Sequence, residues 1–305
     1  MELRQLRYFV TIADTLSFSE AAKSLCVTQS TLSQQLKQLE QEFDCQLFER
    51  NSHGVALTEA GHELLAFARN AINSADLCAQ RMQDLRNVLV GSLNIGVTYS
   101  FSPMLTESIF AFMKQYPGVK LHVFYEPMAE LMEMLRQRRV DFVLAFKPNK
   151  PMDGIVSHTL FQNYLAAIVN SSHPIARQPK VTLDQLAAHA LALPSCGLQA
   201  RNALEQILER YPHDLNIRLE LNDPNILLDM VRSSNLVSVL AEASIHGQQG
   251  VKAVPIDVPG NEMNGCVHTL ANSYHKNSMQ AFIKLLSESL AVRERATAWL
   301  LGGTN

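Results

Sequence analysis

Residues 17–58 read SFSEAAKSLCVTQSTLSQQLKQLEQEFDCQLFERNSHGVALT. Ser17 is followed three residues later by Glu20, the spacing of a capping box: the Ser17 hydroxyl accepts from the Glu20 N–H while the Glu20 carboxylate reaches back. Phe18, Ala21, Ala22 and Leu25 recur at helical spacing, and the two alanines let another helix cross closely. Cys26-Val27 makes a turn and Thr28 caps the next helix. In that helix Leu32, Leu36, Leu39 and Phe43 form the apolar stripe. The opposite face carries Gln29, Ser30, Thr31, Ser33, Gln34 and Lys37. Most of these short or amide-tipped groups both donate and accept, as base edges in a DNA major groove require, and Gln pairs bidentately with adenine. A solvated helix face would look similar; the capped helix before it and the hairpin after it favour the groove. The hairpin spans Glu49 to Leu57 with its tip at 51–54, which puts Arg50 and His53 within reach of phosphates.

Upstream, Leu3, Leu6, Phe9, Val10 and Ala13 predict a helix over 2–14. Downstream, Thr58-Glu59 opens a long helix to about Leu89. Along it Leu64, Ala68, Ala71, Ala75, Cys78, Met82, Leu85 and Leu89 alternate spacings of four and three, a heptad seam that predicts pairing with a second copy. Packing on the chain's own domains is the alternative. Pairing would place two reading helices on one face of double-stranded DNA, about one helical turn apart or a multiple of it. Charge runs the other way: residues 1–58 hold five basic against seven acidic side chains, where a DNA-binding module is usually basic. Few phosphate contacts and a shallow salt dependence are therefore expected.

The whole chain has 305 residues, 47% of them hydrophobic and 18% charged, with a net charge of −3. That suits two or three packed domains and excludes wholesale disorder. The five cysteines stand at 26, 45, 78, 196 and 266 without CxxC spacing, the pattern of reduced thiols. The N-terminal residues offer no signal-peptide core and no apolar run reaches membrane length, so a cytoplasmic protein without a membrane partner is expected.

Beyond residue 90 the pattern becomes strand–helix alternation, an α/β domain. Strands are predicted at 92–97, 119–125, 141–146, 160–169, 190–194, 217–221 and 236–240. Helices are predicted after Pro103 and over 128–139, 198–210 and 224–234. Ligands in open α/β sheets sit at the carboxyl ends of strands. Those ends carry Thr98, Ser100, Ser102, Phe146, Lys147, Ser195, Cys196, Gly197 and Asn225, with Gln199 and Arg201 in the first turn of a following helix. Free N–H groups at helix starts favour an anionic ligand, and Arg201 is a candidate carboxylate clamp. Each has an alternative: Thr98, Ser100, Ser102 and Asn225 as helix caps, Lys147 as a solvated lysine, Arg201 in a surface ion pair.

The segments LRYFVTIADTLSFSEAAKSLCVTQSTLSQQLKQLE, LFER and LTEAG, in that order and spacing, resemble the LysR-type transcriptional regulators. The resemblance implies a winged helix-turn-helix (1–58), a dimerisation helix (59–90) and an effector-binding domain of periplasmic-binding-protein type (91–305). It divides that last domain at about 161 and 267 into subdomain I (91–161 and 267–305) and subdomain II (162–266). It implies tetramers that bend DNA, a small-molecule coinducer as the only added group, and RNA polymerase as a further candidate partner. Carried over residue by residue, Gln29, Thr31, Ser33, Gln34 and Lys37 match the DNA-facing helix and Arg50 the wing. Many members have proline at Ser30 and arginine at Gln34 and His53, so this chain departs toward less cationic contact. Cys196 stands close to the reactive thiol of peroxide-sensing members, which makes a redox sensor one alternative; a structural or effector-lining thiol is the other. A cytoplasmic solute-binding protein is a different-class alternative for the α/β half alone. An enzyme is not expected: no P-loop, GxSxG, HExxH or metal-ligand cluster is present.

Overall fold

The computed structural model describes residues 1–51, 54–84, 89–148 and 150–289, and the chain divides into two compact units, Met1–Val88 and Leu89–Asn305. The first opens with α1 (Leu3–Thr15), α2 (Phe18–Ser24) and α3 (Gln29–Phe43). A two-stranded wing follows, β1 (Phe48–Asn51) antiparallel to β2 (Gly54–Leu57), and then α4 (Glu59–Asp84). Phe9, Ile12, Ala21, Leu32 and Leu39 are fully buried where the three short helices meet. Phe48 carries the wing onto this core, its ring 5.4 Å from that of Phe9 and 6.0 Å from that of Phe18.

Turn chemistry explains the crossing of α2 and α3. Cys26 takes a left-handed φ of 53°, and its neighbour's Val27 N–H donates to Ala22 O at 3.0 Å. Thr28 accepts from the Thr31 N–H at 3.2 Å and starts α3. At α2 the expected reciprocal box is half made. Ser17 accepts from the Glu20 N–H at 3.3 Å, but Glu20 turns to Lys23 at 2.8 Å and the Ser17 N–H finds Thr15 Oγ1 at 3.4 Å. Phe43, placed in the core by periodicity, is 39% exposed because α3 ends there and the chain reverses through left-handed Asp44.

The second unit is built on two sheets. Strands β3 (Gly91–Val97), β4 (Val119–Tyr125), β5 (Phe142–Phe146), β6 (Ile155–Phe161) and β12 (Gly265–Leu270) form one, in the order β4-β3-β5-β12-β6. Helices α5 (Ser102–Gln115) and α6 (Met128–Arg136) connect its parallel strands, and α10 (Asn277–Glu288) packs beside α5. The other sheet joins β10 (Ser238–Ala241), β7 (Leu165–Asn170) and β11 (Val251–Pro255), with β8 (Leu191–Pro194) and β9 (Ile217–Leu221) added through a Leu191–Val237 bridge. Its helices are α7 (Leu183–Ala187), α8 (Gln199–Arg210) and α9 (Pro224–Arg232). The chain passes between the sheets twice, at 162–164 and 256–264.

The single strand expected over 160–169 is therefore two, broken where β6 leaves one sheet and β7 enters the other. The helix expected to 139 stops at Arg136, since Arg138 takes a φ of 56°. Strands β11 and β12 fall in a stretch that sequence periodicity left unassigned.

Candidate functional site

Two surfaces carry polar chemistry, one in each unit. On α3 the buried Leu32, Leu36 and Leu39 fix the helix rotation, and Ser30, Gln34 and Lys37, spaced four and three apart, lie on the opposite, exposed face. Ser33 is half-buried at its edge. Gln34 and Lys37 bond to no described residue, so both are open to a partner. Gln29 is already engaged: its Oε1 accepts from Ser19 Oγ at 3.1 Å and ties α3 to α2. Thr31 and Ser30 share Thr28 Oγ1 at 2.8 and 2.9 Å, a hydroxyl cluster over the helix N-terminus. Arg50 sits in β1 opposite Val55; its side chain, like His53, lies outside the described residues.

Most described cations of this unit are paired within it. Arg7 pairs with Asp76 and Arg69 with Asp14, clamping α4 to α1, while Arg4 lies 3.7 Å from Glu2 and Lys23 2.8 Å from Glu20. Lys37 is thus the free cation of the α3 face among the described residues.

The heptad seam separates into two stripes. Ala68 is 1% exposed and Leu64 partly buried, both packed with Leu65 and Ile72 on the unit's own core. Ala71, Cys78 and Met82 face outward, with Ala75 half-buried between them and Phe67, missed by the heptad reading, 70% exposed on the same side. Leu85 lies outside the described residues. Leu89 does not belong to the seam: it is not helical and packs partly buried on the core of the second unit.

In the second unit a cleft of about 1070 Å³ opens between the two sheets' helices. Thr98, Ser100, Ser102, Gln199 and Asn225 line it. The cap alternatives fail locally. Thr98 Oγ1 donates to Leu144 O at 3.4 Å, α5 has no side-chain cap, and Asp223 rather than Asn225 caps α9, accepting from the Asn225 N–H at 2.8 Å. Two side chains make bonds at the cleft to residues far away in the sequence. Tyr99 Oη donates to Asn225 Oδ1 at 2.9 Å, and Gln199 bridges to the backbone of Phe146, accepting from its N–H and donating to its carbonyl at 3.2 Å each. Burial and the nearby Asp223 raise the Tyr99 phenol above its ordinary range, so it remains a donor.

Phe146 and Lys147 border a separate 240 Å³ cavity that also reaches Gln199. Ser195, Cys196, Gly197 and Arg201 line neither space. Arg201 is no carboxylate clamp for a ligand: it is 8% exposed and spends its guanidinium on Glu220, on Glu205 at 2.9 Å and on Pro194 O at 3.4 Å. Cys196 is exposed with Sγ 3.6 Å from Glu205 Oε1, and Cys266 is buried in β12 beside Thr159. All five thiols are free. Tyr99, within the strand end at 98–102, lines the cleft too, and sequence reasoning missed Tyr125, Glu107, Glu126, Glu130 and His246, which also line it. The end of β4 at Tyr125 is legible in the sequence as a strand terminus, and the fold brings it to the cleft beside Tyr99.

No group of three or more metal-ligating side chains occurs among the described residues, and none of their helices is long and apolar enough to cross a membrane.

Each surface lies in a stretch that matches a known family. Residues 3–62 match the family of bacterial regulatory helix-turn-helix proteins of lysR type, and residues 86–291 match the LysR substrate binding domain. The chain is 28% identical to the HTH-type transcriptional activator CmpR of Synechocystis, over 85% of each chain. In fold it resembles a full-length OxyR variant from Pseudomonas aeruginosa, with a TM-score of 0.74 at 23% identity over 96% of this chain and 95% of that one. It also resembles full-length CbnR in complex with its target DNA, with a TM-score of 0.66 at 21% identity over 94% and 99%. With a helix-turn-helix module and a cleft-bearing α/β domain each matched by its own model, the chain belongs to the LysR family of DNA-binding transcriptional regulators controlled by small-molecule effectors.

Proposed function

We propose that α3 reads operator bases through Ser30, Ser33, Gln34 and Lys37, and that the cleft of the α/β unit sets when the protein does so. The observation that carries the reading is the exposed Ser30–Gln34–Lys37 face, open on a helix whose rotation is locked by three buried leucines. Backbone positioning falls mainly to Lys37 and the wing, because the remaining described cations of the module are paired. Pairing of two copies through the outward stripe Phe67–Ala71–Cys78–Met82 supplies a second reading helix. Exposed Phe110 and Met113 on α5, and Ile226 and Met230 on α9, support further association toward a tetramer. RNA polymerase is the partner an activating output would require. The chain is read as non-catalytic, with the effector as its one added group and no cofactor.

Effector control requires a ligand that favours one cleft geometry over another. The Tyr99–Asn225 bond and the Gln199 bridge are the contacts such a ligand would replace or complete. Footprinting on an operator selected from genomic fragments tests the coupling without a known effector. The Asn225→Ala chain, which loses its bond to Tyr99 at the cleft, should protect a shifted or shortened region relative to the parent. Superimposable footprints from both would remove the cleft from the regulatory account.

A further inference from the structure

Ser19 and Gln29 lie ten positions apart, and the turn between them brings their side chains together. Ser17 caps α2, so Ser19 falls in its first turn. Left-handed Cys26 and the Val27 N–H bond to Ala22 O reverse the chain, and buried Ala21 and Ala22 let the helices approach. Thr28 then caps α3, which makes Gln29 its first residue. At this junction Ser19 Oγ donates to Gln29 Oε1 at 3.1 Å, and neither side chain bonds to any other described residue. A free glutamine amide can turn over about its last bond and exchange oxygen for nitrogen, so it serves a base as donor or acceptor. Held by Ser19, it keeps the oxygen on α2 and leaves the two Nε2 hydrogens as its open end. The neighbouring hydroxyls are tied to one another, Ser30 and Thr31 both resting on Thr28 Oγ1 at 2.9 and 2.8 Å.

We propose that Ser19 is a positioning residue for operator choice: through Gln29 it makes the head of α3 a hydrogen-bond donor that selects guanine. This rests on the reading of α3 as the recognition helix and adds to it a residue from the helix before. The N-terminal residues of such a helix meet base edges in the major groove. Guanine presents N7 and O6 there, two acceptors side by side. The bidentate pair with adenine needs the glutamine oxygen to accept from N6, and that oxygen already takes the Ser19 proton. Ser19 has no second proton to give a phosphate, so it acts on sequence choice and not on overall affinity.

Selection of the full-length chain on duplexes randomised across the operator, with sequencing of the bound fraction, reads preference position by position. The parent should favour a G·C pair by about tenfold at one position in each half-site, and S19A should bring that preference close to parity. Gln29→Ala should relax the same position, and S19A added to Gln29→Ala should change nothing further, since Ser19 acts only through Gln29. S19T keeps the hydroxyl and should restore the parent's preference. Ser19 is exposed and alanine is the best helix former, so S19A should keep the parent's Tm and its affinity for random duplex. An unchanged profile in S19A overturns the proposal. So does an A·T pair at the position that Gln29→Ala relaxes, or a uniform loss at every position with weaker binding to random duplex. The Ser33→Ala/Gln34→Ala chain keeps this apart from the recognition-helix reading. If that chain loses operator preference and S19A does not, only the role of Ser19 falls; if neither loses it, the reading of α3 falls as well.

Discussion

At Gly61 an added Cβ would lie 2.2 Å from the backbone oxygen of Leu47 and 2.8 Å from Leu57. Alanine normally stabilises a helix interior over glycine by about 0.5–1 kcal/mol, but here it meets backbone that cannot give way. Gly61→Ala should therefore destabilise the first unit, by about 1–3 kcal/mol, seen as a lower denaturant midpoint; an unchanged or raised midpoint would refute the close approach. The glycine of the LTEAG segment is thus explained by the crossing of α4 under the β1 entry. A different logic governs exposed Gln34 and Lys37. Lys37→Ala should weaken binding to all sequences alike and lower the salt slope by about 1, whereas Gln34→Ala should cost about 1–3 kcal/mol on the preferred operator alone. Binding titrations over a salt series separate the two, and a Lys37→Ala chain with the parent's slope would remove it from the phosphate contacts.

Among elements, α4 carries the sharpest test and the clearest lesson about sequence. Its apolar residues serve two partners. Ala68 and Ile72 are buried on the helix-turn-helix core, reinforced by Arg7–Asp76 and Arg69–Asp14, and Phe67, Ala71 and Met82 remain outside. A heptad count merges these stripes because they stand side by side on one helix; only the location of the core divides them. Replacing Ala71 and Met82 together by lysine should convert the assembly to monomer in sedimentation velocity while leaving the far-UV spectrum intact. The parent's mass in that variant would refute pairing through this face. Local signals served well elsewhere: the Thr28 cap, the Cys26 turn and the leucine stripe of α3 lie within a few residues of what they determine. Long-range features did not show. Arg201 looks like a ligand clamp until Glu220, nineteen positions away, is brought beside it by β9, and the acidic lining assembles from three separated segments.

For the whole molecule, the two units perform separable tasks. One offers a polar reading face with little cationic support; the other offers an acidic cleft held by bonds from Tyr99 and Gln199. If phosphate contact is as sparse as proposed, operator affinity should depend on the pairing of reading helices, since each added contact surface multiplies rather than adds to binding. Operator choice itself rests on the α3 face, and that is the central claim. The most direct measurement is competition binding of the full-length chain and its Ser33→Ala/Gln34→Ala variant to the selected operator against random duplex, at one fixed salt concentration. The account predicts that the variant keeps the parent's Tm and its affinity for random duplex and loses operator preference by at least about tenfold. An undiminished preference in a folded variant would contradict it.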